Sequence, residues 1–340
     1  MAERELNAIA NAIVADYKGI LAADESTGTI TKRFDTIGVS STEANRRSYR
    51  NLLFTTPGLE EFIGGVILYD ETLRQCTDDG TPFGELLAAK GVVPGIKVDA
   101  GSKDMALRSG ELVTEGLDGL RGRLAEYHAL GARFAKWRAV ITIGDGTPSQ
   151  SCLDANAHAL ARYAALCQEQ GIVPIVEPEV LMDADNTIER CFEITTRTLV
   201  SVFAELERAG VDLEGILLKP NMVIAGKKCS EQASAWRVAE LTLDCFLRQV
   251  PAAVPGIVFL SGGQSEIEAT ANLQAINELG GPWPLSFSYG RALQASALAA
   301  WKGEAEGVAA AQAAFLHRAR MNALAVAGDW SQEREQAVAA

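Results

Sequence analysis

Lys219 is the residue of this chain best suited to covalent chemistry. It follows an apolar run, Gly215–Leu218, that is typical of a buried strand. A buried lysine loses much of its water, which disfavours the charged ammonium and favours the neutral, nucleophilic amine. Such an amine adds to a ketone and forms a Schiff base. The alternative is a structural lysine whose stem follows the strand end while its ammonium reaches solvent.

Charged residues recur near the carboxyl ends of other apolar runs. Lys136 and Arg138 lie two residues apart in one run, and Glu177 and Glu179 have the same spacing in another. Side chains two residues apart share one face of a strand. Buried charges destabilise a fold unless they are paired, so charges of both signs on several strands indicate an active site rather than a structural ion pair.

These residue types suffice to cleave a carbon–carbon bond in a β-hydroxy ketone. Lys136 disfavours the ammonium form of Lys219 by like-charge repulsion if the two lie close together. Glu177 carries protons while the Schiff base forms, and Glu179 balances the lysines. Asp24, which ends the first apolar run, takes the proton of the substrate hydroxyl as the bond breaks. We expect this chemistry to need no metal ion and no other cofactor.

Two further groups of residues predict anion sites on either side of Lys219. The turn Ser261-Gly262-Gly263 exposes backbone N–H groups, and Arg291 follows the run that ends at Gly290; both features suit a phosphate. The second group follows Asp24, and taken alone it is also typical of an ordinary exposed helix N-terminus. Two anion sites around a Schiff-base lysine indicate a sugar bisphosphate. The second group comprises Ser26, Thr29, Lys32 and Arg33, joined by Lys97 and Arg138.

Eight short apolar runs, separated by helical patterns, must position these side chains. Continuous apolar runs are typical of parallel strands covered on both faces. Eight strands that alternate with helices predict a closed (β/α)8 barrel, the TIM barrel. A doubly wound open sheet is the alternative, but no GxGxxG motif follows the first run. The predicted strands are Gly19–Asp24, Gly64–Tyr69, Val93–Asp99, Phe134–Ile141, Val173–Glu179, Gly215–Pro220, Gly256–Ser261 and Leu285–Gly290.

The remaining segments complete one predicted domain over residues 1–340. No linker, repeat or low-complexity segment divides the chain. An extra helix is expected before the first strand and a long helix after the last one, followed by a short polar tail that we expect to be flexible. The helices are predicted over Leu6–Lys18, Ala155–Gln170, Glu189–Ala209 and Glu304–Ala327, and the tail over Asp329–Ala340.

The composition disfavours several classes of protein. The net charge is −13, from 31 basic and 44 acidic residues, which argues against a nucleic-acid partner. No apolar run reaches the ~18 residues that a membrane-spanning helix needs, and the N-terminus lacks the apolar segment of a signal peptide. Scattered cysteines without a CxxC pair indicate reduced thiols and a cytoplasmic protein. His128, His158 and His317 stand alone in helical stretches, so no histidine-ligated metal site is predicted.

Stretches that include every predicted strand closely resemble class I fructose-1,6-bisphosphate aldolase. They follow the family's order, from about residue 5 to residue 327. The resemblance implies reversible cleavage of fructose 1,6-bisphosphate into dihydroxyacetone phosphate and glyceraldehyde 3-phosphate, in glycolysis and gluconeogenesis. The matching stretches include GILAADESTGTITKRF (19–34), NRRSYR (45–50), PGIKVD (94–99), FAKWRAVI (134–141), GIVPIVEPEV (171–180), GILLKPNMV (215–223), FLSGGQSE (259–266) and FSYGRALQASALAAW (287–301).

The resemblance also implies a role for each candidate residue and a homotetrameric assembly. Lys219 corresponds to the Schiff-base lysine, Glu177 to its acid/base, Asp24 to the residue at the C4 hydroxyl, and Lys136 and Glu179 to a supporting pair. The C1 phosphate is expected at Ser261, Gly262, Gly290 and Arg291, and the C6 phosphate at Ser26, Thr29, Lys32, Arg33, Lys97 and Arg138.

Two points stay open at this stage. Many eukaryotic family members carry a C-terminal tyrosine that assists proton exchange, whereas the last aromatic residue here is Trp330. We expect cleavage to survive without that tyrosine. A Schiff-base aldolase for sedoheptulose 1,7-bisphosphate or fructose 1-phosphate is an alternative, as is a non-catalytic binding protein on the same fold.

Overall fold

The computed structural model describes residues 2–336 and shows eight parallel strands that close into a barrel. Each strand pairs with its neighbours in chain order, and the last strand pairs with the first. This architecture confirms the predicted (β/α)8 fold. The strands are β1 (Gly19–Ala23), β2 (Ile63–Leu68), β3 (Val93–Lys97), β4 (Phe134–Ile141), β5 (Val173–Val180), β6 (Leu217–Leu218), β7 (Ile257–Phe259) and β8 (Leu285–Tyr289).

Helices surround the barrel, and an antiparallel hairpin, Ser102–Asp104 paired with Leu112–Thr114, follows β3. Across residues 2–336, no helix is both long enough and apolar enough to cross a membrane. Short 3-10 turns occur at Ala15–Tyr17, Leu59–Glu61, Leu213–Gly215 and Ala305–Gly307. The helices are α1 (Ala2–Ile13), α2 (Thr27–Asp35), α3 (Glu43–Phe54), α4 (Asp70–Leu73), α5 (Phe83–Ala89), α6 (Leu120–Ala129), α7 (Gln150–Glu169), α8 (Ile188–Arg208), α9 (Ala235–Gln249), α10 (Glu266–Leu279), α11 (Arg291–Trp301), α12 (Val308–Val326) and α13 (Gln332–Gln336).

Three helices differ from their predicted bounds by four residues or more, and α12 begins at Val308 because a 3-10 turn, Ala305–Gly307, precedes it. α7 begins five residues earlier than predicted, because Ser149 caps it: the Ser149 hydroxyl accepts a hydrogen bond from the backbone N–H of Cys152 at 3.2 Å. α1 ends at Ile13, because the next turn is 3-10 and contains Asp16 in the left-handed region at a φ of 52°. None of these differences moves a candidate site residue.

α1 closes the amino-terminal end of the barrel with an apolar plug. Its residues Leu6, Ala10 and Ile13 pack on inward-facing strand residues, among them Ile20 of β1 and Phe134 of β4. Side chains alternate along a strand, so the inward positions nearer the carboxyl ends of the same strands face the opposite mouth of the barrel. The polar candidates of the sequence occupy those positions. The plug therefore leaves one open end for a site.

Gly64 of β2 lies against the backbone of α1 and permits this closure. A Cβ atom at Gly64 would stand 2.1 Å from the carbonyl oxygen of Ile13. We expect Gly64→Ala to lower the free energy of unfolding by about 2 kcal/mol or more, because the plug must shift. Gly122→Ala in α6 is the control, since its added Cβ meets nothing within 4 Å. Urea unfolding followed by circular dichroism measures both, and equal stabilities would contradict this packing.

Within residues 329–336, the C-terminal segment packs against the rest of the protein. The sequence predicted a flexible tail over Asp329–Ala340. Glu335 of α13 is buried and pairs with Arg318 of α12, and it also accepts from His317 Nε2 at 3.0 Å. The indole N–H of Trp330 donates to the same carboxylate at 2.8 Å. A buried arginine needs a counter-ion, and Glu335 of α13 supplies it. Residues 337–340 lie outside the described part of the chain.

Loss of this carboxylate should destabilise the protein. We expect Glu335→Ala to lower the free energy of unfolding by about 3 kcal/mol, because Arg318 is then left buried without its anion. Glu333→Ala, on the exposed side of α13, is the matched control and should change stability little. Chemical denaturation with turnover measured in parallel separates the two effects: stability falls and activity at 25 °C persists. An unchanged stability of Glu335→Ala would show that α13 does not hold Arg318.

Candidate active site

A pocket of about 230 Å³ opens at the carboxyl-terminal mouth of the barrel. It brings together fourteen of the fifteen candidate residues named from the sequence. Lys32 is the exception: it is exposed and lines a neighbouring cavity between α2 and α11. The fourteen residues are Asp24, Ser26, Thr29, Arg33, Lys97, Lys136, Arg138, Glu177, Glu179, Lys219, Ser261, Gly262, Gly290 and Arg291.

Lys219 is buried at the floor of this pocket. The residue is 4% exposed, which excludes the alternative of an ammonium that reaches solvent. Its backbone N–H donates to the carbonyl of Val176 in β5 at 2.8 Å, one residue beyond the end of β6. This bond fixes the backbone from which the side chain projects. The Lys219 Nζ atom lies 3.1 Å from Glu177 Oε1, so nucleophile and carboxylate are in direct contact.

Lys136 links two carboxylates across the pocket. Its Nζ atom lies 2.8 Å from Asp24 Oδ2 and 3.3 Å from Glu177 Oε2. Burial alone lowers the pKa of Lys136, but the charges of Asp24 and Glu177 outweigh it and hold that pKa well above its usual range. Lys136 is therefore a fixed cation. It orients both carboxylates around Lys219, and the four groups form one continuous chain of ion contacts.

Asp24 is ionised in this arrangement. Burial raises the pKa of Asp24, yet the ammonium groups of Lys136 and Lys219 lower it more, so that the pKa lies well below its usual range. A carboxylate that stays ionised accepts a proton or a hydrogen bond rather than donating one. Asp24 follows directly after β1, on the wall opposite β5 and β6. The pocket thus has a base on the side facing Lys219 and Glu177.

Glu179 contacts a different cation from the one expected. The sequence suggested that it balances the lysines, but it pairs with Arg138, while Glu177 serves both Lys136 and Lys219. The parallel register explains the difference. Glu177 is the register partner of Arg138, one inward position before Glu179, and it therefore sits nearer the lysines. Glu179 instead lies nearer the rim and neutralises the arginine there.

The turn after β7 and the start of α11 lie side by side and expose backbone N–H groups. Gly262 has a φ of 55°, a left-handed conformation that favours glycine. Gly290 precedes the first turn of α11, and helix N-termini favour anions. Arg291 Nη2 donates to the carbonyl of Gly262 at 3.0 Å, which joins the two segments. Among residues 2–336 the other guanidinium donors have no hydrogen-bond partner, so they can bind an anion.

The second predicted anion group lies on the rim formed by β1, α2 and β3. The hydroxyls of Ser26 and Thr29 are 3.2 Å apart at the start of α2. Lys97 at the end of β3 is held by Asp99, with 2.6 Å between Lys97 Nζ and Asp99 Oδ1. Arg33 of α2 lines the pocket nearer the other group, with its Nη2 atom 3.4 Å from where a Cβ of Gly290 would stand. These groups are prearranged, since each cation already has a partner that fixes its position.

Sequence reasoning did not single out several polar residues of the site. The Ser288 hydroxyl of β8 lines the pocket, is buried, and has no hydrogen-bond partner in the described part of the chain. Asp99 and Glu25 are buried carboxylates that pair with rim cations. Ser288 could have been predicted to line the pocket, because it lies two residues before Gly290 and therefore points to the same side of β8. Over residues 2–336, no three His, Cys, Asp or Glu side chains form a group that could hold a metal ion.

Comparison with known proteins places this site in a family. Residues 5–340 match the family model described as fructose-bisphosphate aldolase class-I. A probable fructose-bisphosphate aldolase class 1 of Xanthomonas campestris pv. campestris is 58% identical over 97% of this chain and 99% of its own length. Fructose-bisphosphate aldolase 4, cytosolic, of Arabidopsis thaliana is 52% identical over 98% of this chain and 86% of its own.

A solved structure agrees with the same assignment. The fructose-bisphosphate aldolase from Plasmodium falciparum, in complex with TRAP and a small molecule inhibitor, superposes with a TM-score of 0.96 at 50% identity. The match covers 97% of this chain and 96% of that one. The chain therefore belongs to the class I fructose-bisphosphate aldolase family. It is an enzyme, a carbon–carbon lyase that reversibly cleaves fructose 1,6-bisphosphate into dihydroxyacetone phosphate and glyceraldehyde 3-phosphate.

Proposed function

We propose that this chain cleaves fructose 1,6-bisphosphate through a Schiff base on Lys219. The observation that carries the proposal is the contact of 3.1 Å between Lys219 Nζ and Glu177 Oε1 inside a buried pocket. One proton of the Lys219 ammonium passes to Glu177, and the neutral amine adds to the C2 carbonyl carbon. Glu177 returns this proton to the C2 oxygen, which gives the carbinolamine. It then takes a second proton from the nitrogen and passes it to the same oxygen, which leaves as water. The product is a protonated iminium on Lys219.

Asp24 carries out the next step. It takes the proton of the C4 hydroxyl while the C3–C4 bond breaks, and the electron pair moves into the iminium to give an enamine. Glyceraldehyde 3-phosphate leaves as the aldehyde. Lys136, 2.8 Å from Asp24, remains a cation throughout and stabilises the carboxylate before the transfer. Protonation of the enamine at C3, followed by hydrolysis of the iminium, releases dihydroxyacetone phosphate and regenerates Lys219.

The two anion sites hold the substrate across the mouth of the barrel. We assign the C1 phosphate to the turn after β7 and to α11, where backbone N–H groups and Arg291 converge. The C6 phosphate is assigned to the opposite rim of β1, α2 and β3. Two fixed anchors place C2 over Lys219 and the C4 hydroxyl beside Asp24. Lys32 lies outside this pocket and has no assigned contact here. The anchors are Ser261, Gly262, Gly290 and Arg291 for C1, with Arg33 beside Gly290, and Ser26, Thr29, Lys97 and Arg138 for C6.

Borohydride reduction in the presence of dihydroxyacetone phosphate tests the proposal. The expected result is a reduced three-carbon phosphate adduct on the peptide that contains Lys219, identified by mass spectrometry. Folded protein that binds the ligand but gives no adduct, or an adduct on another lysine, would contradict it. Relative kcat/KM for fructose 1,6-bisphosphate, sedoheptulose 1,7-bisphosphate and fructose 1-phosphate then ranks the substrates.

We further propose that the enzyme works in the cytoplasm as a homotetramer of single-domain subunits. The support is family membership, including a relative named as cytosolic. Sedimentation equilibrium tests the assembly: a mass near four times 36.2 kDa is expected, and a monomer at micromolar concentration would contradict it. Subcellular fractionation tests the compartment.

A further inference from the structure

Gln264 is a buried polar residue directly behind the turn after β7, and it has no part in the steps described above. The residue is 3% exposed and precedes Ser265, the N-cap of α10. Two of its groups donate to one acceptor: its backbone N–H and its side-chain Nε2 each lie 3.1 Å from the carbonyl oxygen of Ser261. A carbonyl oxygen has two lone pairs, so Gln264 uses both of those on Ser261.

Asn272 holds the Gln264 amide in the orientation that lets it donate. Asn272 Nδ2 donates to Gln264 Oε1 at 2.6 Å. An amide whose oxygen accepts on one side presents its nitrogen on the other, and here the nitrogen faces Ser261. Asn272 is itself buried, about two turns inside α10. Two buried amides therefore tie the body of α10 to the turn that precedes it.

The fixed carbonyl of Ser261 sets the direction of the next backbone N–H. The Ser261–Gly262 peptide bond is trans. In a planar trans peptide the C=O and the N–H point in opposite directions. Because Gln264 lies on the carbonyl side, the N–H of Gly262 points away from it, toward the pocket that Ser261 and Gly262 line. Among residues 2–336 this N–H has no hydrogen-bond partner.

The following peptide, between Gly262 and Gly263, is held by two other groups. Its carbonyl accepts from Arg291 Nη2 at 3.0 Å, and its N–H lies 2.8 Å from Met182 Sδ. Sulfur is a weak acceptor, but it occupies the direction in which this N–H points. Of these two glycine N–H groups, that of Gly262 is therefore the one available to a phosphate, and Gln264 sets its direction.

We propose that Gln264 is a positioning residue for the phosphate on the ketone side of the substrate, and that it acts through the Ser261–Gly262 peptide. This inference rests on the proposed function, which assigns the C1 phosphate to this turn. Gln264 does not touch the substrate. Glycine allows many backbone conformations, so neighbouring groups must fix the peptide. With the peptide held by Gln264, binding of the phosphate does not have to order it.

The condensation direction separates this role from general damage, because only dihydroxyacetone phosphate places its phosphate in this turn. For Gln264→Leu we expect KM for dihydroxyacetone phosphate to rise about tenfold, since the N–H of Gly262 loses its fixed direction. KM for glyceraldehyde 3-phosphate and kcat should stay within about twofold. Gln332→Leu, at an exposed position of α13, is the matched control. An unchanged KM for dihydroxyacetone phosphate, or equal rises for both substrates, would overturn the proposal.

Two further variants guard against misfolding, because Gln264→Leu leaves Asn272 Nδ2 buried without its acceptor. Gln264→Leu/Asn272→Leu removes both amides and should show the same selective rise in KM. Asn272→Leu alone keeps the donor of Gln264 but lets its amide turn, so we expect a smaller rise of about threefold. A folded double variant with normal KM for dihydroxyacetone phosphate would contradict the role of Gln264.

Borohydride trapping reports on the proposed function separately. In Gln264→Leu the reduced adduct on Lys219 should reach the same extent as in the unmodified enzyme, but at about tenfold higher dihydroxyacetone phosphate. Absence of the adduct from the unmodified enzyme would refute the Schiff-base mechanism. An adduct that saturates at the same concentration in both proteins would refute the role of Gln264 alone.

Discussion

We expect the replacement of Lys219 by arginine to abolish turnover. A guanidinium keeps its proton at neutral pH and has no free electron pair for the C2 carbonyl. Since every later step needs the iminium as an electron acceptor, we expect kcat to fall by at least about 10⁴-fold. Steady-state cleavage, with the product aldehyde measured by a coupled assay, gives the loss. The borohydride adduct should disappear from the same variant.

Two companion variants make the result specific to the amine. Lys219→Met has a similar volume, and Glu177 keeps Lys136 at 3.3 Å, so this variant should fold and be equally inactive. Lys228→Arg changes an exposed lysine nine residues further along the chain and should retain full activity. Activity within tenfold of the unmodified enzyme in either Lys219 variant would refute the covalent mechanism.

The strands were predictable because a strand that is buried on both faces gives an uninterrupted apolar run in the sequence. β1 and β2 are buried at every position, and their runs are correspondingly apolar without alternation. The alternation of side chains along each strand then distinguished inward-facing from outward-facing residues. The inward phase of β4 and β5 placed Lys136 and Glu177 in the pocket together with Lys219. The carboxyl-end location followed from the fold class itself.

Ion pairs between side chains of neighbouring strands were not predictable from each strand alone. Which cation Glu179 contacts depends on the register between β4 and β5, since a shift of one inward position exchanges Arg138 for Lys136. Register is set by the stagger of the closed barrel, to which all eight strands contribute. A local pattern contains no information about it. For this reason the sequence indicated which residues line one pocket, and it did not indicate the partner of Glu179.

The ion pairs of Glu25 with Arg33 and Arg50 were missed, although the sequence contained a sign of them. Glu25 follows β1 directly; its carboxylate is buried, lines the pocket and contacts Arg33 of α2 and Arg50 of α3. Arg50 lies on the apolar face of α3, three residues before Leu53 and four before Phe54, both of which are buried. A buried carboxylate after a strand and a guanidinium on the covered side of a helix satisfy each other. Each is unusual alone, and their contact required the fold.

Replacing Asp24 by asparagine separates Schiff-base formation from bond cleavage. The amide has nearly the same shape but cannot accept the C4 proton, and loss of a general base typically slows a reaction by about 10²–10⁴-fold. We expect kcat for fructose 1,6-bisphosphate to fall by about 10³-fold. The iminium still forms, because Lys219 and Glu177 remain in contact at 3.1 Å. Asp35→Asn, at the exposed end of α2, is the control.

The trapped species distinguishes this role of Asp24 from simple damage to the site. Borohydride added to Asp24→Asn with fructose 1,6-bisphosphate should reduce a six-carbon bisphosphate adduct on Lys219, because the reaction stalls before the C3–C4 bond breaks. The unmodified enzyme, which passes this step, should give mainly the three-carbon adduct. The low pKa of Asp24 in the free enzyme means that its carboxylate is available as a base throughout the neutral pH range. A three-carbon adduct at the normal rate in Asp24→Asn would place the base on another residue, and no adduct at all would assign Asp24 to an earlier step.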